Sequence, residues 1–280
     1  MLDPSHSVPL EFVEFVKHHR ALGDSVVVTH SGGAKLQEIY NNCAKADDHH
    51  LQLPIINAPT MQAIRELVAG RLGRGLANAL NADRVPSVAI TGEDAATALC
   101  TPVHVATGFT GTINLLATDL IGVLVANGLV PVFSPLGVDY TGQAYILNSL
   151  DLVTQLAMML QPDLAVFIVD DVVEAGDFSP SDLIDRTGID VYDEETVWVG
   201  HALEIARLAA PVVTCATVDG LADMIKAVPD SHDVMHLKRV TPQLTLIRGN
   251  GEVGDSGPTP IRPLSASPTL VEGRNSFDGD

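Results

Sequence analysis

Apolar residues recur along this chain in two alternating rhythms, short unbroken runs and longer stretches with apolar positions three and four apart, which predict strands and helices in turn. Leu10, Val13, Phe15, Val16 and Leu22 predict a helix over Pro9 to Leu22, stopped by Gly23. The β-branched run Val26-Val27-Val28 predicts a strand leading into His30-Ser31-Gly32-Gly33, followed by an amphipathic helix from Ala34 to Cys43. A long helix over Thr60 to Leu80 carries Met61, Ile64, Leu67, Val68, Leu72 and Leu76 on one face and is interrupted only by Gly70, Gly73 and Gly75. Further strands are predicted at Ser87 to Ile90, Val130 to Ser134, Leu164 to Val169 and Pro211 to Cys215. Helices are predicted at Thr118 to Ala126, Leu150 to Leu160, His201 to Leu208 and Gly220 to Val228. Strands alternating with helices imply an α/β fold with a mainly parallel sheet covered on both faces. From Gly249 the periodicity ends in a Gly, Pro, Ser and Asp-rich stretch, so 1–248 are expected to form the folded domain and 249–280 a disordered tail.

Composition narrows the function classes. Of 280 residues 46% are hydrophobic and 18% charged, and no apolar run is long enough to suggest a membrane span. The start, Met1-Leu2-Asp3-Pro4-Ser5-His6, lacks a basic region followed by an apolar stretch, so a cytoplasmic location is expected. A net charge of −19 with no Lys/Arg-rich stretch disfavours nucleic acid and anionic lipid as partners. Cys43, Cys100 and Cys215 are odd in number and far apart, which fits small buried hydrophobes better than disulfides. Asp47-Asp48-His49-His50, with His18-His19 upstream, offers metal-binding residue types, but adjacent residues of this kind point apart and a solvated loop is expected; no metal site is assigned.

Several collinear segments are similar to acetylglutamate kinase, a member of the amino-acid kinase family. They are Val26 to Gly33, Pro59-Thr60-Met61 opening the long helix through Ala69-Gly70-Arg71, Gly92-Glu93-Asp94, Gly128 to Val138, and Gly142-Gln143-Ala144-Tyr145 leading to Asn148. The match runs over about residues 10–228. It implies a three-layer α/β/α sandwich on an open, mainly parallel sheet, with an N-terminal half that binds the acid substrate and a nucleotide half over about 140–248. The first strand of the family pattern, VIKxGG, which supplies one lysine, is expected to be missing; a start upstream of Met1 would restore it.

The resemblance also implies ATP and Mg as cofactors, a small-molecule acid or nucleotide as ligand, and assembly as a homo-oligomer or with a related kinase. Gly32 and Gly33 match a glycine turn that would hold anionic substrate oxygens, or they form only a tight strand-to-helix turn. Asn148 matches one substrate-binding asparagine, while Ile146 and Leu150 replace the other asparagine and the aspartate. Asp151 stands one residue late, where it is a weak catalytic candidate or a carboxylate favoured at a helix start. His201 aligns with a family lysine, and Ile55 with a substrate-binding arginine. Asp170 and Asp171 end a strand where the family binds nucleotide, as nucleotide or metal contacts or as a solvated strand end. Three carboxylates, Asp193, Glu194 and Glu195, stand where a Gly-rich phosphate segment is expected.

Phosphoryl transfer to a carboxylate gathers negative oxygens, so cations must be supplied. Lys35, Arg71 and His201 are the candidates to compensate for the lost lysines. Losses concentrated at charged site positions predict a degenerate kinase acting as a ligand-binding or regulatory protein. A working ATP-dependent kinase of the arginine-biosynthesis type, or a structural subunit of a kinase-like oligomer, are the alternatives.

Overall fold

A computed structural model of the chain describes residues 8–45, 53–168, 212–227 and 244–248, with 201, 205, 208 and 209 between them. The predicted strands are at its centre. β1 (Val28–Thr29), β5 (Val130–Ser134) and β2 (Ser87–Thr91) form a parallel sheet in the order β1-β5-β2, with Val132 beside both Val28 and Ala89. A second sheet has the order β10-β9-β8; β8 (Leu164–Ile168) runs parallel to β9 (Val212–Ala216), and β10 (Leu244–Arg248) antiparallel to it.

β5 shows how the sequence produces three layers. Side chains alternate across a strand, so Val130 and Val132 face one way and Phe133 the other, and all are fully buried. The valines join Phe12, Val13 and Val16 of α1 (Leu10–Ala21), Leu76 and Leu80 of α4 (Arg74–Ala82), and Leu221 and Met224 of α7 (Val218–Ala227). Phe133 joins Ile121 of α5 (Asp119–Ala126) and Leu152 and Leu156 of α6 (Ser149–Leu160). Val166 and Ile168 of β8 pack against the first cluster, so both sheets share one core. A strand buried on both faces must be apolar at nearly every position, which is why Val130-Pro131-Val132-Phe133 is legible as a strand.

α2 (Gly33–Asn41) and α3 (Ala58–Arg65) follow the irregular ends of the first strand region. α3 is started by Asn57, whose side chain accepts from the Thr60 backbone N–H at 2.9 Å and its hydroxyl at 2.8 Å, with Pro59 in the first turn. The helix predicted from Thr60 to Leu80 is continuous in direction but not in hydrogen bonding: residues Glu66–Gly73 are π-helical between α3 and α4. Ser134 of β5 packs against this segment: its hydroxyl oxygen lies 3.2 Å from the Val68 carbonyl, and a Cβ at Gly73 would stand 2.4 Å from it, so the approach needs glycine. Such π segments are rare and concentrate at functional sites.

Four strands absent from the sequence reading, β3 (Ala98–Pro102), β4 (Thr110–Leu116), β6 (Leu136–Val138) and β7 (Ala144–Leu147), close into a small barrel. The β6–β7 turn is held by Asp139, which accepts from the Thr141 N–H and hydroxyl and from the Gln143 N–H at 2.7 to 2.9 Å. These bonds, the Thr141 hydroxyl foremost, hold the Asp139 carboxyl below the usual range. Cys100 of β3 is buried and its thiol is pushed up to about 11, chiefly by burial. No described helix is long and apolar enough to cross a membrane. The expected tail over 249–280 lies outside the described residues.

Candidate functional site

The three parallel strands end together, and their C-terminal extensions build the site. β1 runs into His30-Ser31-Gly32-Gly33, β2 into Gly92-Glu93-Asp94, and β5 ends at Ser134. Gly33 has φ +57°, a left-handed conformation open to glycine, and its N–H donates to the Ser31 hydroxyl at 3.2 Å. At Gly92 a Cβ would sit 2.3 Å from the Leu136 carbonyl oxygen, so the turn that carries Glu93 requires glycine.

Beneath these turns His30 is buried, with Nδ1 2.8 Å from the Ser31 carbonyl and Nε2 2.9 Å from the Ser134 hydroxyl. Burial lowers the His30 pKa, against a smaller opposing effect of the Ser31 carbonyl, so the ring is neutral. A carbonyl only accepts, which places the single ring proton on Nδ1 and makes Nε2 the acceptor from Ser134. The Ser134 oxygen also stands 3.2 Å from the Val68 carbonyl in the π segment.

Two cavities flank this floor. The larger, of 490 Å³, is lined by Ala58, Met61, Gln62, Arg65, Glu66 and Ala69 from α3 and the π segment, and by Glu93, Phe109 and Gln143. The smaller, of 230 Å³, shares Arg65, Ala69 and Glu93 with it and adds Arg74, Thr91, Asp94 and Ser134 among its lining. Arg65 and Glu93 stand between them as a two-bond pair, Nη2 to Oε1 at 2.7 Å and Nε to Oε2 at 3.3 Å. Asp94 accepts from the Thr91 N–H at 2.7 Å and the Thr91 hydroxyl at 3.1 Å.

A separate cluster forms at the start of α6. Asn148 caps the helix, its side-chain oxygen accepting from the Leu150 N–H at 2.8 Å and the Asp151 N–H at 3.3 Å. His201 Nδ1 lies 2.9 Å from the Thr154 hydroxyl, and His201 Nε2 lies 3.8 Å from Asp151 Oδ1. The Thr154 hydroxyl also reaches the Leu150 carbonyl at 2.8 Å.

The residues singled out from the sequence are therefore distributed unevenly. Asp151 and His201 are brought together, with Asn148 at the head of the same helix. Gly32 and Gly33 sit at the end of β1. Lys35 lies on the exposed side of α2, paired with Glu38 at 3.2 Å, and lines neither cavity; Arg71 is exposed on the π segment. Asp170 and Asp171 lie outside the described residues, as does the Asp47 to His50 run. Among the described residues there is no cluster of three or more His, Cys, Asp or Glu side chains placed to hold a metal ion. Of the carboxylates in the two cavities, Glu93 is bonded to Arg65, Glu66 to Gln62 and Asp94 to Thr91, while the residues that the resemblance places at ATP and Mg, Asp170 and Asp171, lie outside the described residues.

Arg65 and Glu66 are the site residues that sequence reasoning missed. The signal for Arg65 was a second stripe, Ala58, Gln62, Arg65 and Ala69, spaced four, three and four apart beside the apolar face of the helix, and Glu66 stands four residues after Gln62.

An α/β/α protein with a glycine turn at the strand ends and cavities beside it has the architecture in which open parallel sheets form ligand sites at their carboxyl edge. The particular family is the amino acid kinase family, to which the chain belongs: the family's model matches residues 5–194. Within it the chain resembles acetylglutamate kinase. It is 27% identical to the Geobacillus stearothermophilus enzyme over 139 residues, covering 49% of this chain and 54% of that protein. It is 27% identical to the Chlorobaculum tepidum enzyme over 161 residues, covering 57% and 56%. The chain thus spans about half the length of the curated relatives it matches. A solved Streptococcus mutans UA159 protein shares the fold with a TM-score of 0.63 at 16% identity, over 76% of this chain and 90% of that one. N-acetylglutamate synthase of Neisseria gonorrhoeae shares it with a TM-score of 0.57 at 15% identity, over 75% of this chain and 53% of that one.

Proposed function

We propose that this chain is a ligand-binding or regulatory member of the amino acid kinase family with little or no phosphotransfer activity, its ligand a small amino-acid-type acid. One observation carries the reading: in the described cavities positive charge is not in surplus. The larger cavity has Arg65 against Glu66 and Glu93, and Arg65 is already bonded to Glu93. The smaller sets Arg65 and Arg74 against Glu93 and Asp94. An in-line phosphoryl transition state between two anions depends on cations and aimed donors. A single paired arginine supports holding one carboxylate far better than stabilising that state.

The test is a single-turnover assay with radiolabelled ATP·Mg, run beside titration calorimetry with L-glutamate and N-acetyl-L-glutamate. Saturable binding without label transfer is the expected result, and robust transfer would overturn the reading.

The Asp151–His201 approach favours a second reading, an active kinase in which His201 takes the place of a lysine. In that case transfer is measurable and disappears in His201→Ala.

A further inference from the structure

The larger cavity has a donor and acceptor balance that selects among amino-acid-type ligands. Among the described residues Arg65 is the one cationic side chain in its wall, and both bonds to Glu93 engage it. The two amides in the wall are also partly committed: Gln62 Nε2 donates to Glu66 at 3.1 Å and Gln143 Nε2 to the Ala144 carbonyl at 3.0 Å. The acceptors are more numerous, comprising the Glu66 and Glu93 carboxylates and the two amide oxygens. Met61 and Phe109 supply apolar surface beside them.

An N-acylated dicarboxylic acid suits this wall poorly, because against one amide N–H it brings two carboxylates and a carbonyl, all acceptors, to described residues whose one cation is already paired. An ammonium group brings three donors and a positive charge. Resting on the ligand-binding reading above, we infer that this cavity binds an amino acid with a free α-amine in preference to its N-acylated form. The ligand carboxylate takes Arg65, and its ammonium takes Glu93, thereby left without a cation, together with Glu66. Inserting a zwitterion into the Arg65–Glu93 pair in this way leaves the net charge of the cavity unchanged, whereas a dianion adds two negative charges.

The test is titration calorimetry on the full chain with two matched pairs, L-methionine with N-acetyl-L-methionine and L-glutamate with N-acetyl-L-glutamate. In each pair the free amine is expected to bind more tightly by about fivefold, the upper range for partly exposed charge pairs. Glu66→Gln narrows that ratio by about threefold, and Arg65→Ala weakens both members. An N-acetylated member that binds as tightly as its partner, or a ratio unmoved by Glu66→Gln, overturns the inference. If only the N-acetylated members bind, the ligand-binding reading stands and this inference falls. If none of the four binds, both fall.

Discussion

At the scale of single residues, the floor of the site rests on the His30–Ser134 bond. Both side chains are buried, so removing one partner leaves the other without water to replace it. Ser134→Ala is expected to destabilise the fold by about 1–3 kcal/mol, read as a lower urea midpoint with unchanged slope. The titration of His30 adds a pH signature. Its folded pKa lies below the ordinary 6.5, so below that value the unfolded chain binds a proton that the folded chain resists. The stability associated with His30 is therefore complete above pH 6.5 and declines as pH falls toward the lower folded value. His30→Gln, which cannot titrate, should flatten the decline between about pH 7 and about pH 5.5; an unchanged slope would show that His30 is not its source. Gly73 belongs to the same contact. Gly73→Ala places a Cβ 2.4 Å from the Ser134 oxygen and should cost about 1–3 kcal/mol. Ser134→Ala in the same chain should recover part of that loss, and strict additivity in the double-mutant cycle would refute the contact.

At the scale of elements, α3 and the π segment carry one wall of both cavities, and α3 depends on its cap. Asn57→Ala removes the acceptor for the Thr60 N–H and hydroxyl and should cost about 1 kcal/mol, while Asn57→Ser keeps most of the cap. Equal stability of Asn57→Ala and the parent chain in urea titration would discard this account of the helix start. The same helix shows what sequence can and cannot disclose. Met61, Ile64, Val68, Leu72 and Leu76 mark the buried face whether the backbone bonds run four or five residues back, so periodicity announces a helix but not its π register. Glycines at 70 and 73 hint at a break, but the need for glycine at 73 comes from Ser134 of β5, a partner 61 residues away in sequence. β5 and β8 were legible because they are apolar at nearly every position, and β1 and β2 because of the short apolar runs Val26-Val27-Val28 and Val88-Ala89-Ile90. β4 was not, because Thr110 to Leu116 buries only Gly111 and Leu116, leaving no regular alternation to read. The glycine turns were visible for the same reason as the strands that precede them. Arg65 was not, because its role depends on Glu93, which stands 28 residues away.

At the scale of the molecule, charge decides the response to salt. The chain has 35 acidic and 16 basic residues, a net charge of −19. Among the described residues the opposite-charge pairs of Lys and Arg are Lys17–Asp83, Lys35–Glu38 and Arg65–Glu93, each with at least one partner about half exposed. Pairs of that kind contribute about 0–1 kcal/mol each, and salt weakens them. Salt also screens the repulsion among the unmatched carboxylates, which acts over distances comparable to the Debye length, about 30 Å at 0.01 M and about 3 Å at 1 M. With acids exceeding bases by more than two to one, the repulsive term is the larger, so added salt should stabilise the fold. Raising NaCl from about 0.01 M to about 0.5 M is expected to raise the thermal midpoint. The same addition should weaken binding of a zwitterion at Arg65, Glu66 and Glu93, because those contacts are attractive and partly exposed. Stability and affinity thus move in opposite directions with salt. A thermal midpoint that falls on adding NaCl would mean that the attractive pairs dominate, and the charge argument would then fail for the fold; for the cavity it fails only if the affinity holds or rises as NaCl is added.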